Sequence, residues 1–228
     1  MSHLPPADET KLVTLAPFLA AAEASMGFVP NSTKAMANRP QLAVAFSLLY
    51  ATVMGVDLKA LLAHWQPLLP DAAAATDNLN PELLHLISFA TSLRSGCLYC
   101  QAHTSHSLER ASSSPDQAKF DQVLNYQQAD CYSDAERAVL DLVFASTEQP
   151  NAATADHFNA LQAHFNEAQV AQMVAMMATF GFLNRWNDTL ATPLEAMPLQ
   201  FAEAHLQAFG WQGGKHVAVA AGDDAPVR

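Results

Sequence analysis

Apolar residues recur along this chain at helical spacing and almost nowhere at the two-residue spacing of a strand. Leu12, Leu15, Phe18, Leu19 and Ala22 lie three or four apart, which predicts a helix over 10–26 that Gly27 stops. Phe28-Val29-Pro30 is extended, and Asn31 caps a short helix to residue 37. Pro40 opens a helix over 41–54, with Leu42, Phe46, Leu49, Tyr50 and Val53 at apolar positions and Gly55 at its end. Residues 57–65 form another, closed by Pro67 and Pro70. The Ala-rich, polar stretch 71–79 is a linker.

The second half opens on a strong start signal, Asn80-Pro81-Glu82: a cap, a proline at the first helical position and an acid in the first turn. That helix runs to about Arg94, and Ser95-Gly96 breaks it. Cys97 then falls in the first turn of a helix reaching about Ala111. Residues 112–115 (Ser-Ser-Ser-Pro) are a loop, and 120–126 a short helix. Ser133-Asp134-Ala135-Glu136 is a capping box for a helix through Phe144. Residues 156–165 are amphipathic, and Asn166-Glu167 caps a long apolar helix to Phe180. A last short helix starts at Met197, and Gly213-Gly214 leads into a polar tail expected to be mobile. Alternation is weak and confined to 216–220, so the expected fold is all-α.

At an offset of about 85 residues Glu82 falls on Glu167 and Gly96 on Gly181, with apolar helices between them. This echo predicts two related helical halves, of which only the first carries thiols. The segmentation expected is an arm and helix over 1–25, a helical domain over 26–200, and a final helix and tail over 201–228.

Composition narrows the function. Half of the 228 residues are hydrophobic and 14% are charged, ample for a core and too apolar for disorder. The net charge of −11 and the lack of any Lys/Arg cluster argue against nucleic acid or an anionic membrane as partner. The longest apolar run, near 173–183, is too short to span a bilayer. The start, Met1-Ser2-His3-Leu4-Pro5-Pro6, has no basic or apolar region of a secretory signal, so a cytoplasmic protein is expected. At this hydrophobicity a homo-oligomer is expected too, with the face of Met173, Met176, Met177 and Phe180 buried internally or between subunits.

The chemistry-bearing stretch is Cys97-Leu98-Tyr99-Cys100-Gln101-Ala102-His103. Residues three and six apart share a broad helical face, so two thiols and an imidazole can meet. Three cysteines are no disulfide framework, and a lone C-x-x-C in a reducing compartment is catalytic or metal-binding. Cys131 is read as an inert thiol. Cys97, Cys100, His103 and His106 offer four zinc-type ligands, but on one helix the first and last stand on opposite faces, so no metal is expected. Two inert thiols are the bland alternative. Thiol redox fits better: one cysteine attacks, the other closes a disulfide, and histidine moves the proton. Position at a helix start favours Cys97 as the more acidic thiol. His85, twelve residues before Cys97, faces the cluster if the two helices pack antiparallel.

Gly96-Cys97-Leu98-Tyr99-Cys100-Gln101-Ala102-His103-Thr104 resembles the redox motif of the alkylhydroperoxidase D and carboxymuconolactone decarboxylase superfamily. Gly27-Phe28-Val29-Pro30-Asn31 and Phe182-Leu183-Asn184-Arg185-Trp186-Asn187-Asp188 are similar to stretches of its peroxidase-related branch. The resemblance covers about 26–196. It implies an all-α oligomer that reduces hydroperoxides through a disulfide cycle, needs an external dithiol donor, and uses no cofactor. It implies attack by Cys100 and resolution by Cys97, against the positional argument. The family's relay histidine falls here on Thr104, with His103 one residue earlier. Its glutamate falls on His85, with Glu82 one turn before. The relay is therefore altered, with His103 and His85 the proton carriers and Tyr99, Thr104, Glu82 and Arg185 secondary candidates. Asn184, Arg185, Asn187 and Asp188 are read either as capping with a buried Arg–Asp pair or as a lining of the thiol cavity, where Arg185 raises the potential near a thiolate. A redox-sensing oligomer or disulfide reductase, and a non-redox lyase on the same scaffold, are the alternatives.

Overall fold

The computed structural model describes residues 2–111 and 117–217, and among them the chain is all-α, with no strand. Twelve α-helices are described: α1 (Glu9–Thr14), α2 (Ala16–Met26), α3 (Asn31–Met36), α4 (Pro40–Val53), α5 (Leu58–Trp65), α6 (Pro81–Ser95), α7 (Leu98–Ala111), α8 (Gln117–Asp121), α9 (Asp134–Thr147), α10 (Ala155–Gln162), α11 (Glu167–Leu190) and α12 (Ala196–His205). None is long and apolar enough to cross a membrane. The predicted 112–115 loop and residues 218–228 of the predicted tail lie outside the described residues.

The chain groups into two compact units that do not follow chain order. One comprises Met1–Leu79 with Thr154–Ala175, the other Asn80–Ala153 with Met176–Arg228. In the first unit a core of Ala7, Leu15, Ala37, Ala43 and Val44 is packed by Leu12, Phe18, Leu19, Met36 and Leu48. Phe18 stacks on Trp65 at 4.0 Å between centroids. The single helix predicted over 10–26 is two helices. Pro17 lacks an N–H and its ring would clash with the carbonyl four residues back, so the chain breaks at Leu15, whose φ is −102° and ψ 6°. On α4 the buried face is Ala43 and Val44, while Phe46, Leu49, Tyr50 and Val53, the apolar positions that defined the helix in the sequence, are exposed. The 71–79 linker is ordered by Arg39, whose guanidinium donates to the Asp77 carbonyl and the Asn78 side chain, both at 2.8 Å.

The second unit is built on the α6–α7 hairpin. Asn80 caps α6 as expected, accepting the Glu82 N–H at 2.9 Å, and Gly96 ends it with φ 73°, a left-handed conformation that glycine reaches without a Cβ penalty. α6 is buried all round from Leu86 to Ser92, so it is the central helix, with α7 and α9 packed on it and α12 on α7. Its buried hydroxyls turn back on their own helix: Thr91 donates to the Ile87 carbonyl and Ser92 to that of Ser88. The Ser133–Glu136 capping box opens α9. The helix predicted over 120–126 is instead α8 followed by a 3-10 turn, Val123–Asn125.

Two further expectations fail on one residue. Gly181 does not end the long helix, which continues to Leu190. No proline follows within reach, and a single interior glycine costs only about 1 kcal/mol relative to alanine. The predicted echo fails with it: Gly96 turns the chain between two helices, while Gly181 sits inside one. Residues 211–217 are no polar tail either. Trp211 and His216 are buried, and the Leu194 N–H donates to the His216 carbonyl at 2.7 Å.

Candidate active site

The site lies wholly in the second unit. Cys97 stands one residue before α7 rather than in its first turn. Its carbonyl accepts the Gln101 N–H at 2.9 Å and its sulfur accepts the Cys100 N–H at 3.4 Å, so the sulfur itself caps the helix. The left-handed turn at Gly96 sets this up. Both thiols are buried and unbridged.

The hydrogen bonds around the pair separate the two sulfurs. The Cys97 thiol is lowered from 9.0 to about 7, first by the Cys100 side-chain donor, against burial, and with help from the backbone N–H groups of Cys100 and Tyr99. Cys100 is pushed up because its proton is held by Cys97 and because it is buried; the Asn187 amide, 3.5 Å from its sulfur, offsets this only in part. These hydrogen bonds favour Cys97 over Cys100 as the more acidic thiol, the direction that its position at the helix start suggests.

Beside the thiols stands a polar group. His103 Nε2 lies 2.7 Å from Glu195 Oε2, and the Tyr99 hydroxyl donates to Glu195 at 3.2 Å. The rings of Tyr99 and His103 stack at 4.3 Å. Partial burial pushes the Glu195 carboxyl up, and its own backbone N–H, His103 and Tyr99 outweigh this to hold it below its ordinary range. Burial, with Glu195 adding to it, raises Tyr99 to about 12, so the phenol stays a proton donor.

Asp188 and His216 also stand at Cys97, and the His216 ring lies 5.8 Å from that of Tyr99 between centroids. The His216 ring is wholly buried, and its Nδ1 lies 2.8 Å from the Thr192 carbonyl, so that nitrogen carries the proton. Nε2 lies 3.6 Å from Asp188 Oδ1, longer than a hydrogen bond, and has no hydrogen-bond partner among the described residues. The sulfur of Cys97, a ring nitrogen of His216 and a carboxylate oxygen of Asp188 all fall within 4.8 Å of one another. Lys215 Nζ, 2.9 Å from Asp188 Oδ1, holds that carboxyl below its ordinary range. The Trp211 indole N–H donates to the Leu98 carbonyl at 3.1 Å and ties this segment to the start of α7.

Four residues singled out by sequence stand apart. In the α6–α7 hairpin the Gln101 side chain meets the Ser92 carbonyl at 3.4 Å, so His85 sits seven residues, about 10 Å, further along α6 from that level. No hydrogen bond or ion pair joins the His85 side chain to a thiol among the described residues; burial lowers its pKa. Glu82 faces Lys119 at 3.8 Å. Thr104 donates to the Cys100 carbonyl at 2.6 Å, a bond within its own helix. Arg185 is exposed and does not pair with Asp188, which is exposed also and is held by Lys215, so the buried Arg–Asp pair is replaced by a surface one. The four-ligand zinc set is not assembled either: His103 turns to Glu195 and His106 lies against Phe201.

Sequence reasoning missed Glu195, His216 and Lys215 as site residues, whereas Asn187, read as a helix cap or a lining of the thiol cavity, does reach the Cys100 sulfur. Glu195 carried a faint signal in preceding the last helix, and His216 in following a Trp-Gln-Gly-Gly turn.

No protein-family model matches the chain, and no curated protein is similar to it in sequence. Solved structures are similar. The ligand-free debrominase Bmp8 is 29% identical, with a TM-score of 0.52, over 90% of this chain and 96% of that one. A cysteine-to-alanine variant of Bmp8 in complex with 2,3,4-tribromopyrrole is 28% identical, with the same TM-score, over 91% and 97%. A protein of unknown function from Agrobacterium tumefaciens, described as a putative antioxidant defence protein AhpD, is 21% identical with a TM-score of 0.48, over 64% and 96%. The chain is thus similar in fold to the debrominase Bmp8 over nearly its whole length.

Proposed function

We propose that this AhpD-like chain is a thiol-dependent hydroperoxide reductase in which Cys97 attacks and Cys100 resolves. The observation that carries this reading is the asymmetric thiol pair, a helix-capping Cys97 lowered to about 7 beside a Cys100 that keeps its proton. The thiolate, not the thiol, is the nucleophile. Cys97 attacks the distal peroxide oxygen, the O–O bond breaks, and the alkoxide leaves with a proton to give an alcohol and a Cys97 sulfenic acid. Cys100 then displaces the sulfenic oxygen as water, forming the Cys97–Cys100 disulfide. One hydroperoxide and two thiols become one alcohol, one water and one disulfide, and an external dithiol returns the pair to the reduced state.

The chain's own groups serve these steps. His216 Nε2, with Nδ1 fixed by the Thr192 carbonyl, is the imidazole base within 4.8 Å of the Cys97 sulfur. Tyr99, His103 and Glu195 form a proton store at the thiols, in place of the His85 and Thr104 positions that the family pattern designates. Both sulfurs are buried, so small hydroperoxides react faster than bulky ones. The exposed apolar stripe of Phe46, Leu49, Tyr50 and Val53 on α4 supports a homo-oligomer. The free thiols suit a reducing compartment such as the cytoplasm.

A second reading rests on the similarity to debrominase Bmp8. The same dithiol can reduce a bromoarene, giving the arene, bromide, a proton and the disulfide. Peroxide consumption and bromide release by purified protein with excess dithiothreitol, each against Cys97→Ser and Cys100→Ser, separate the two. Peroxide turnover lost in both variants, with an intramolecular disulfide by mass spectrometry, supports the first reading. Bromide release from 2,3,4-tribromopyrrole without peroxide turnover supports the second. No disulfide with either oxidant overturns both.

A further inference from the structure

We propose that Cys97, Asp188 and His216 form a binding site for a zinc-class divalent cation. The three groups come from the cap of α7, from α11 and from the segment after α12. They are the thiolate, carboxylate and imidazole ligands that zinc takes. Their ligand atoms lie within 4.8 Å of one another. The 3.6 Å between Nε2 and Asp188 Oδ1 is close to the separation of roughly 3.3 Å that two ligands have on a tetrahedral ion with bonds of about 2.0–2.1 Å.

His216 gives the site its direction. Its ring has no exposed surface, Nδ1 is committed to the Thr192 carbonyl, and Nε2 has no hydrogen-bond partner among the described residues. A metal-binding histidine is held in this way, with one ring nitrogen donating to a backbone carbonyl and the other keeping its lone pair for the ion. One charge opposes the cation: Lys215 Nζ, 2.9 Å from Asp188 Oδ1. Lys215 is half exposed, so its ammonium can turn to solvent and release the oxygen.

Cys100 is not a ligand. It donates to Cys97 and takes the Asn187 amide. The site therefore exists only with Cys97 reduced, and a bound cation occupies the sulfur that alkylating reagents attack. This inference rests on the geometry and holds whichever electrophile Cys97 reduces.

The test uses full-length reduced protein, freed of metal with a chelator and titrated with zinc sulfate by calorimetry and with cobalt(II) by absorbance. The expected result is one zinc per chain, a thiolate-to-cobalt charge-transfer band, and protection of Cys97 from iodoacetamide. Cys97→Ser and Asp188→Asn each weaken binding at least about tenfold. Lys215→Ala tightens it, and Cys100→Ser retains it. Asp188 is exposed, so its substitution tests the site without disturbing the buried His216. Sub-stoichiometric zinc, binding indifferent to Asp188→Asn, or binding lost equally in Cys97→Ser and Cys100→Ser would overturn the proposal, the last pointing to a simple dithiol chelate. Disulfide formation by peroxide is read separately, so failure of the cation site leaves the thiol chemistry standing.

Discussion

Removing the Cys100 thiol while keeping its volume tests the cause of the acidity of Cys97. The Cys100 side-chain donor is the largest cause of the drop at Cys97 from 9.0 to about 7, and it acts against burial. Cys100→Ala deletes the donor but leaves the Cys100 N–H in place, so the midpoint should rise by at least about one unit, or ~1.4 kcal/mol. The thiolate fraction at pH 7 then falls below about a tenth, and alkylation slows at least about fivefold. Cys100→Ser keeps a hydroxyl donor, and its midpoint should stay near that of the parent. The assay is the iodoacetamide rate at Cys97, followed by mass spectrometry across pH. The thiolate is the reactive form, so the rate climbs as pH rises through the midpoint. Equal midpoints for the Ala and Ser variants would refute the hydrogen-bond explanation, and faster alkylation of Cys100 than of Cys97 in the parent would refute the assignment itself.

Glu195→Gln removes the charge that His103 and Tyr99 share; peroxide turnover should fall at least about tenfold, with stability changing by less than about 1 kcal/mol because the carboxylate is exposed. An unchanged turnover would exclude this trio from proton transfer. Gly96→Ala and Gly181→Ala meet no atom within 4 Å, so urea unfolding should isolate the backbone effect: a loss of about 1–2 kcal/mol at the left-handed Gly96 and a gain of about 1 kcal/mol in the middle of α11. The Asn184 amide is buried with neither polar atom hydrogen-bonded among the described residues, so Asn184→Leu should raise unfolding free energy by about 1 kcal/mol; a fall would mean that the amide has a partner in solution.

What was legible in the sequence was local. Asn80-Pro81-Glu82, the Ser133 capping box and Gly96 each write their geometry within four residues, and each forms as expected. The C-x-x-C could be placed at a helix start for the same reason. Ending α11 at Gly181 failed because a glycine is a stop only where the chain needs a positive φ, and nothing nearby demanded one. His85 was set against the thiols by antiparallel packing and by family spacing, but Gln101 meets Ser92, which leaves His85 about 10 Å further along α6. Glu195, Lys215 and His216 were invisible because they reach the thiols through tertiary contact from the other end of the chain. Arg185 and Asp188, neighbours in sequence, take different directions because Lys215 claims the carboxylate.

The place of His216 in chain order has a consequence for how the protein is made. A ribosome delivers Cys97 and Cys100 more than a hundred residues before His216, and the α6–α7 hairpin can form as soon as it emerges. During that interval the thiols lack both the imidazole and the Trp211 clasp on Leu98. The nascent chain thus carries its dithiol in a form without its base, and the base arrives only when synthesis has passed the last helix. A chain released early, just beyond the region that resembles the family, would keep the hairpin and the two sulfurs and lack the group that stands beside them. Synthesis of the segment that follows α12 is, in this fold, the arming step.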